Sequence, residues 1–234
     1  MAHLSQSPRP RRTGGYARGE ETRRRIVEAA LETFGALGYD SASTRTLARR
    51  AGVNLPALQY YFGGKEGLYL ACAHHIADTI EPRLTAIAGG LEAALSSGVH
   101  SRPELLGLLR GLVEGLADRL VGAQESENWV LFMVREQAHP TAAFDIVYER
   151  IMKRLVQMCA SLLALLLDEP AEATATRVRA MAIVSQLLFF VRARRAALRL
   201  LGWPDFEGER LAQIKEILWR QTEASLGGPA QTGR

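Results

Sequence analysis

The chain lacks the features that mark several protein classes. It has two cysteines in 234 residues, Cys72 and Cys159, far apart and without metal-ligand spacing. That argues against a disulfide framework and for a reducing interior. Its longest strongly apolar run without charge, residues 155–167, is 13 residues long, whereas a membrane span needs roughly 20. The start is rich in Pro, Arg and Ser and has no apolar stretch of the secretory kind. The expectation is a soluble, cytoplasmic chain with no membrane partner. Strand-like alternation and internal repeats are also missing. So are a nucleophile elbow and a zinc-hydrolase pair, and five scattered histidines define no general base. No catalytic constellation, bound cofactor or metal is expected.

What is present is helical and unevenly charged. Hydrophobic residues make up 47% and charged residues 23%, as in ordinary soluble domains. Long segments are rich in Ala, Leu, Arg and Glu, which favours helix. Net charge is +4, but it is concentrated at one end. Residues 1–67 hold 11 of the 29 Lys and Arg and 6 of the 25 Asp and Glu, a net of +5, which leaves −1 for the rest. A basic N-terminal part on a neutral body points to an anionic polymer as partner for that part.

The expected organisation is all-α. Residues 1–19 read as a disordered basic arm, 20–67 as a small helical domain, 68–226 as a larger helical bundle and 227–234 as a flexible tail. Helices are predicted over 20–37, with Gly38 as stop, over 44–51 behind Ser43 as N-cap, and over 55–62 behind Asn54. A fourth starts near Lys65, and Pro82 should kink or break it. Ser101 and Glu104 form a capping box for a helix to about Val121. Further helices are predicted over 127–138, 141–167, 171–201 and 207–226.

The segment GVNLPALQYYFGGKEG (52–67) carries the chemistry. A phosphate-binding loop at Gly63, Gly64 and Lys65 fails. Glu66 follows the Lys where Ser or Thr is needed, and Gln59 stands where the first Gly should be. The spacing of Ala48, Gly52 and Leu58 fits a helix-turn-helix instead. A small residue sits where the helices touch, a residue tolerant of positive φ sits at the turn, and an apolar anchor sits in the second helix.

The run SASTRTLARRAGVNLPALQYYFGGKEGLY resembles the DNA-binding domain of TetR-type transcriptional regulators over residues 22–70. YLACAHHIAD and FMVREQAHPTAAFDIVYERI resemble the C-terminal domain of the CecR-type subgroup. The resemblance implies a three-helix DNA-binding domain, a helical ligand-binding and dimerisation bundle, and a homodimer on a palindromic double-stranded DNA operator. It implies a repressor released by a small-molecule effector. A ligand-independent or activating regulator is the alternative, and a helical small-molecule-binding protein or enzyme is a more distant one.

On that reading the recognition helix enters the major groove N-terminus first. Leu55, Pro56, Ala57 and Gln59 lie nearest the bases, with Pro56 and Ala57 against thymine methyls and Gln59 pairing with adenine, and Asn54, the helix cap, is counted with them in the interface. Many relatives have Tyr at the position of Gln59. Tyr60, Tyr61 and Lys65 fall on the phosphates, and Ser43, Thr44 and Arg45 open the preceding helix toward the opposite strand.

The family keeps a ligand cavity in the C-terminal bundle. Candidates for its wall are Trp129, Phe132, Met133, Arg135, Glu136, Phe144, Tyr148, Gln186 and Phe189, with Arg192 beside them. Arg135 and Glu136 can equally be structural ion pairs and the aromatics core. Dimer candidates are Ile183, Leu187, Phe190, Ile214, Ile217 and Trp219, which can equally be core. His74, Asp78 and Glu81, at i, i+4 and i+7, fall on one helix face. That spacing suits a divalent metal or a plain solvated face.

Overall fold

The computed structural model describes residues 14–96, 98, 101–122 and 127–227. Among these the chain is helical and divides into two compact units, Met1–Cys72 and Ala73–Arg234. The first unit holds α1 (Gly14–Ser41), α2 (Thr44–Arg50), α3 (Leu55–Phe62) and the start of α4 (Lys65–Leu95). Helix α1 begins earlier than expected. Residues 14–19, read as part of a disordered arm, belong to it, while residues 1–13 of that arm and 228–234 of the tail lie outside the described residues. Gly38 interrupts α1 with φ 81°, a conformation costly for any side chain.

The core of the first unit is built from one stripe of each helix. Ile26, Val27, Leu31 and Phe34 of α1 meet Leu47 and Ala48 of α2, Leu58 of α3 and Leu68 of α4, all buried. Phe34 meets the Tyr69 ring edge-on at 4.8 Å. The three helix-turn-helix positions take the roles their chemistry suits. Ala48 is 3% exposed and Leu58 1%, and Gly52 turns the chain at φ 64°. Both short helices are capped. Ser43 Oγ accepts from the Thr46 N–H at 3.1 Å, and Asn54 Oδ1 accepts from the Ala57 N–H at 2.9 Å. Each cap contributes about 1 kcal/mol, which matters for helices too short to be stable alone. Gly67 allows α4 to start against α3, since a Cβ there would sit 1.9 Å from the Phe62 carbonyl oxygen.

The second unit holds the rest of α4, α5 (Arg102–Leu116), α6 (Glu127–Ala138), α7 (Ala142–Val147), α8 (Lys153–Leu167), α9 (Thr174–Arg192), α10 (Arg194–Leu201) and α11 (Gly208–Ser225). Two π-helical turns, Ala117–Val121 and Tyr148–Met152, extend α5 and join α7 to α8. Pro82 lies inside α4 and does not end it. The capping box forms, with the Glu104 carboxylate accepting from the Ser101 N–H at 2.7 Å. The single helix predicted over 171–201 is two, broken at Ala193 (φ −104°, ψ 25°). Nothing local ends it there. The break leaves Arg194 donating to the Val121 carbonyl at 2.7 Å and lying over the Phe206 ring at 4.9 Å.

Helix α9 has three working faces, because each residue advances about 100° around the axis. Ala180, Ile183 and Leu187 are core. Val178 and Phe189, more than half exposed, face outward. Met181, Leu188 and Arg192 line a cavity described below. This spread explains why α9 is long and apolar enough, by composition alone, to cross a membrane. Burial keeps both cysteines as thiols, pushing Cys159 up to about 12 and Cys72 higher still.

Candidate nucleic-acid interface and internal cavity

Helices α2 and α3 present a surface without a single carboxylate. Arg45, Arg49 and Arg50 are exposed on α2. On α3, Leu55 is 43% and Tyr60 84% exposed, and Pro56 and Gln59 are exposed beside them. Ala57 and Tyr61 are half-buried, as is Thr44. The exposed tyrosine and leucine among these arginines are not explained by packing within the fold. Tyr60 and Tyr61 meet edge-on at 5.3 Å.

Four of the expected DNA contacts also have work inside the fold. Ser43 and Asn54 cap their helices, as above. Gln59 Nε2 donates to the Gly63 carbonyl at 3.0 Å, so its amide closes the end of α3. Its second N–H and its Oε1 remain to pair with a base. Lys65 Nζ donates to the Asp40 carbonyl at 3.3 Å and sits 4.3 Å from the Tyr39 ring centre. The ammonium is thereby held at the start of α4, with donors left over for an anion.

The second unit contains a cavity of about 1150 Å³, walled by α6, the Tyr148–Met152 turn, α8, α9 and Ile80 of α4. Of the predicted ligand contacts, Trp129, Met133 and Tyr148 line it, as does Arg192. The others lie elsewhere. Phe132 is fully buried in the core, and Phe144 is half-buried, stacked on Tyr148 at 5.8 Å. Phe189 is 57% exposed on the outward face of α9. Arg135 is exposed. Glu136 is 3% exposed, and its carboxylate accepts from the Thr141 N–H (3.1 Å) and hydroxyl (2.9 Å). It therefore fastens α6 to the cap of α7. Among the described residues, the buried Gln186 Oε1 has no hydrogen-bond partner and does not line the cavity.

The face marked by His74, Asp78 and Glu81 holds an organic cation. Arg150 of the π turn donates to Glu81 at 3.0 Å and to Asp78 at 2.8 Å, and its other terminal nitrogen lies 3.5 Å from His74 Nδ1. Arg154 donates to the second Glu81 oxygen at 2.7 Å. These bonds, Glu81 first, raise the Arg150 guanidinium further above its ordinary value. Asp78 and Glu81 are thus paired with guanidinium groups on this face.

Residues 26–72 match the profile of bacterial regulatory proteins of the tetR family. Residues 106–229 match that of the C-terminal domain of the HTH-type transcriptional dual regulator CecR. CecR of Shigella flexneri is 30% identical over 214 residues, which is 92% of this chain and 95% of that protein. The chain belongs to the TetR family. It is a DNA-binding transcriptional regulator with a C-terminal domain of the CecR type. The regulator SrpR of Pseudomonas putida is 49% identical over 49 residues, 21% of this chain and 23% of its own. Among solved structures, AibR in complex with isovaleryl coenzyme A and operator DNA has the same fold. Its TM-score is 0.58 at 16% identity, over 86% of this chain and 97% of that one.

Sequence reasoning within the TetR frame missed part of the cavity wall, including Val156, Leu188 and Val191. Their apolar spacing does signal a helix face. It carries nothing to separate a cavity wall from packed core. Arg150 was missed as well, although its target face was marked.

Proposed function

We propose that this regulator binds a palindromic operator as a homodimer and represses from it, and that a small molecule in the second-unit cavity releases it. The observation that carries the reading is the π turn Tyr148–Met152. Tyr148, Ile151 and Met152 line the cavity, while Arg150 in the same turn grips Asp78 and Glu81 of α4. Helix α4 begins at Lys65, three residues after the last residue of α3. A ligand that repacks the turn acts on α4, and α4 leads to the DNA-contacting helix. The effect is a shift between two populations with different operator affinity.

The DNA contacts proposed are Leu55, Pro56, Ala57 and Gln59 to bases. Tyr60, Tyr61, Lys65, Arg45, Thr44, Ser43 and Asn54 serve the backbone and the positioning of both helices. The exposed, carboxylate-free surface of α2 and α3 supports these assignments. AibR is a relative by fold that was seen with both operator DNA and an acyl thioester. Such a chain would work where the chromosome is, in the cytoplasm.

The test is fluorescence anisotropy of the full-length chain on DNA from its own upstream region. Saturable binding at one protected palindrome is expected, and binding indifferent to sequence would sink the proposal. CecR's description as a dual regulator favours a second reading, in which the chain also activates some promoters. Reporters with the chain present or absent separate the two.

A further inference from the structure

The charge of the cavity is not the charge of the chain around it. Residues 73–234 carry 18 Lys and Arg against 19 Asp and Glu. The cavity wall carries Lys153, Arg177, Arg192, Arg194 and Arg195 against one carboxylate, Glu172. A wall drawn evenly from its surroundings would hold as many acids as bases. Four of the five cations are also at one end. Arg192, Arg194 and Arg195 flank the break between α9 and α10. Helices α8 and α9 are consecutive, joined by a short turn and packed together. They therefore run antiparallel, which brings Lys153, at the start of α8, to the end of α9.

These cations are not equally committed. Lys153 is paired with Glu149 at 2.7 Å, and Arg194 donates to the Val121 carbonyl. Arg192 is exposed and, among the described residues, its side chain has no partner. Beyond this end the wall is mostly apolar, with Trp129, Met133, Val156 and Leu188 prominent among a few Gln and Ser side chains, and Glu172 and Arg177 stand together at its far end. It extends along α9 from Arg192 back to Arg177, about 22 Å at 1.5 Å per residue. An elongated apolar trough with a cationic head matches neither a neutral compact molecule nor a cationic one. An uncompensated guanidinium such as that of Arg192, at a mostly apolar site, selects for carboxylate or phosphate.

We propose that the cavity takes an amphipathic anion. Its apolar body lies between α6, α8 and α9, and its carboxylate or phosphate lies at the α9–α10 break with Arg192 as the principal contact. This rests on the reading of the cavity as the effector site. It narrows the effector to a class, whether a free acid or an acyl chain on a phosphate-bearing carrier.

Isothermal titration of the full-length chain tests it. The probes share one chain length and are kept below their micelle concentrations: dodecanoate, dodecyl phosphate, dodecanoyl-coenzyme A, dodecanol and dodecyltrimethylammonium. The anions should bind at least tenfold tighter than the alcohol. Dodecanoate against dodecanoyl-coenzyme A tells free acid from carrier. Arg192→Gln, at an exposed position, should remove most of the anion preference by weakening the anions far more than the alcohol. Equal or tighter binding of the alcohol or the ammonium overturns the anion proposal and leaves the cavity as effector site. Anion binding undiminished in Arg192→Gln overturns it too, by placing the head group elsewhere. Binding of none of the five overturns both.

Discussion

At the scale of single residues, several side chains carry two duties. Lys65 ties the start of α4 to the Asp40 carbonyl and the Tyr39 ring and still offers a charge to phosphate. Lys65→Ala should weaken operator and nonspecific DNA alike and lower the slope of log affinity against log salt by about 0.9. Titration at several salt concentrations checks this, and an unchanged slope would remove Lys65 from the interface. Gln59→Ala should behave differently. It should relax preference at one base pair, worth about 1–3 kcal/mol, with nonspecific affinity unaltered. A panel of single-base operator variants is the measurement. Glu136 shows what was legible at this scale. The sequence marks a buried charge near an aromatic helix and leaves its role open. The break at His139 and Pro140 puts Thr141 at the next N-cap, and Glu136 is the acceptor that holds it. That pairing depends on two helices meeting, which no local spacing encodes.

At the scale of elements, the helices were legible wherever a cap or stop residue writes their ends. Ser43, Asn54, Ser101 and Thr141 all sit at helix starts. The break at Ala193 and the π turn at Tyr148–Met152 were not legible, because tertiary contacts produce them without Gly or Pro. The π turn is the element on which regulation depends in this account. Arg150→Met keeps the aliphatic stem and removes the grip on Asp78 and Glu81. Partly exposed ion pairs of this kind contribute about 1 kcal/mol, so Tm should fall by only about 2–4 °C. Operator affinity without effector should stay within a few-fold of wild type, while the effect of effector on it should shrink toward none. Full effector response in Arg150→Met, measured by anisotropy, would show that the turn does not connect the cavity to α4.

At the scale of the whole molecule, the account requires two chains. A palindrome is read by two recognition helices about one DNA turn apart, ~34 Å. Burial within one chain divides the residues considered for that second contact. Ile183, Leu187, Ile214 and Trp219, considered as interface, are buried within one chain. The apolar residues left about half exposed on the last long helices are Val178, Met181, Phe189 and Ile217, and of these Met181 also lines the cavity. Val178→Asp with Phe189→Glu should turn the dimer into a monomer by light scattering and cost operator affinity. A persistent dimer would move the interface elsewhere. The sequence separates interface from core poorly here, since both are apolar stripes at the same helical period and only the packed fold tells them apart.

The central claim is that the cavity and the operator are linked. It is tested most directly by operator affinity measured with and without a cavity ligand at saturation, on full-length chain and at fixed salt. The account predicts that the ligand raises the operator Kd, and that operator DNA weakens ligand binding by the same factor, as linkage demands. A ligand shown to fill the cavity that leaves the operator Kd unchanged would contradict it.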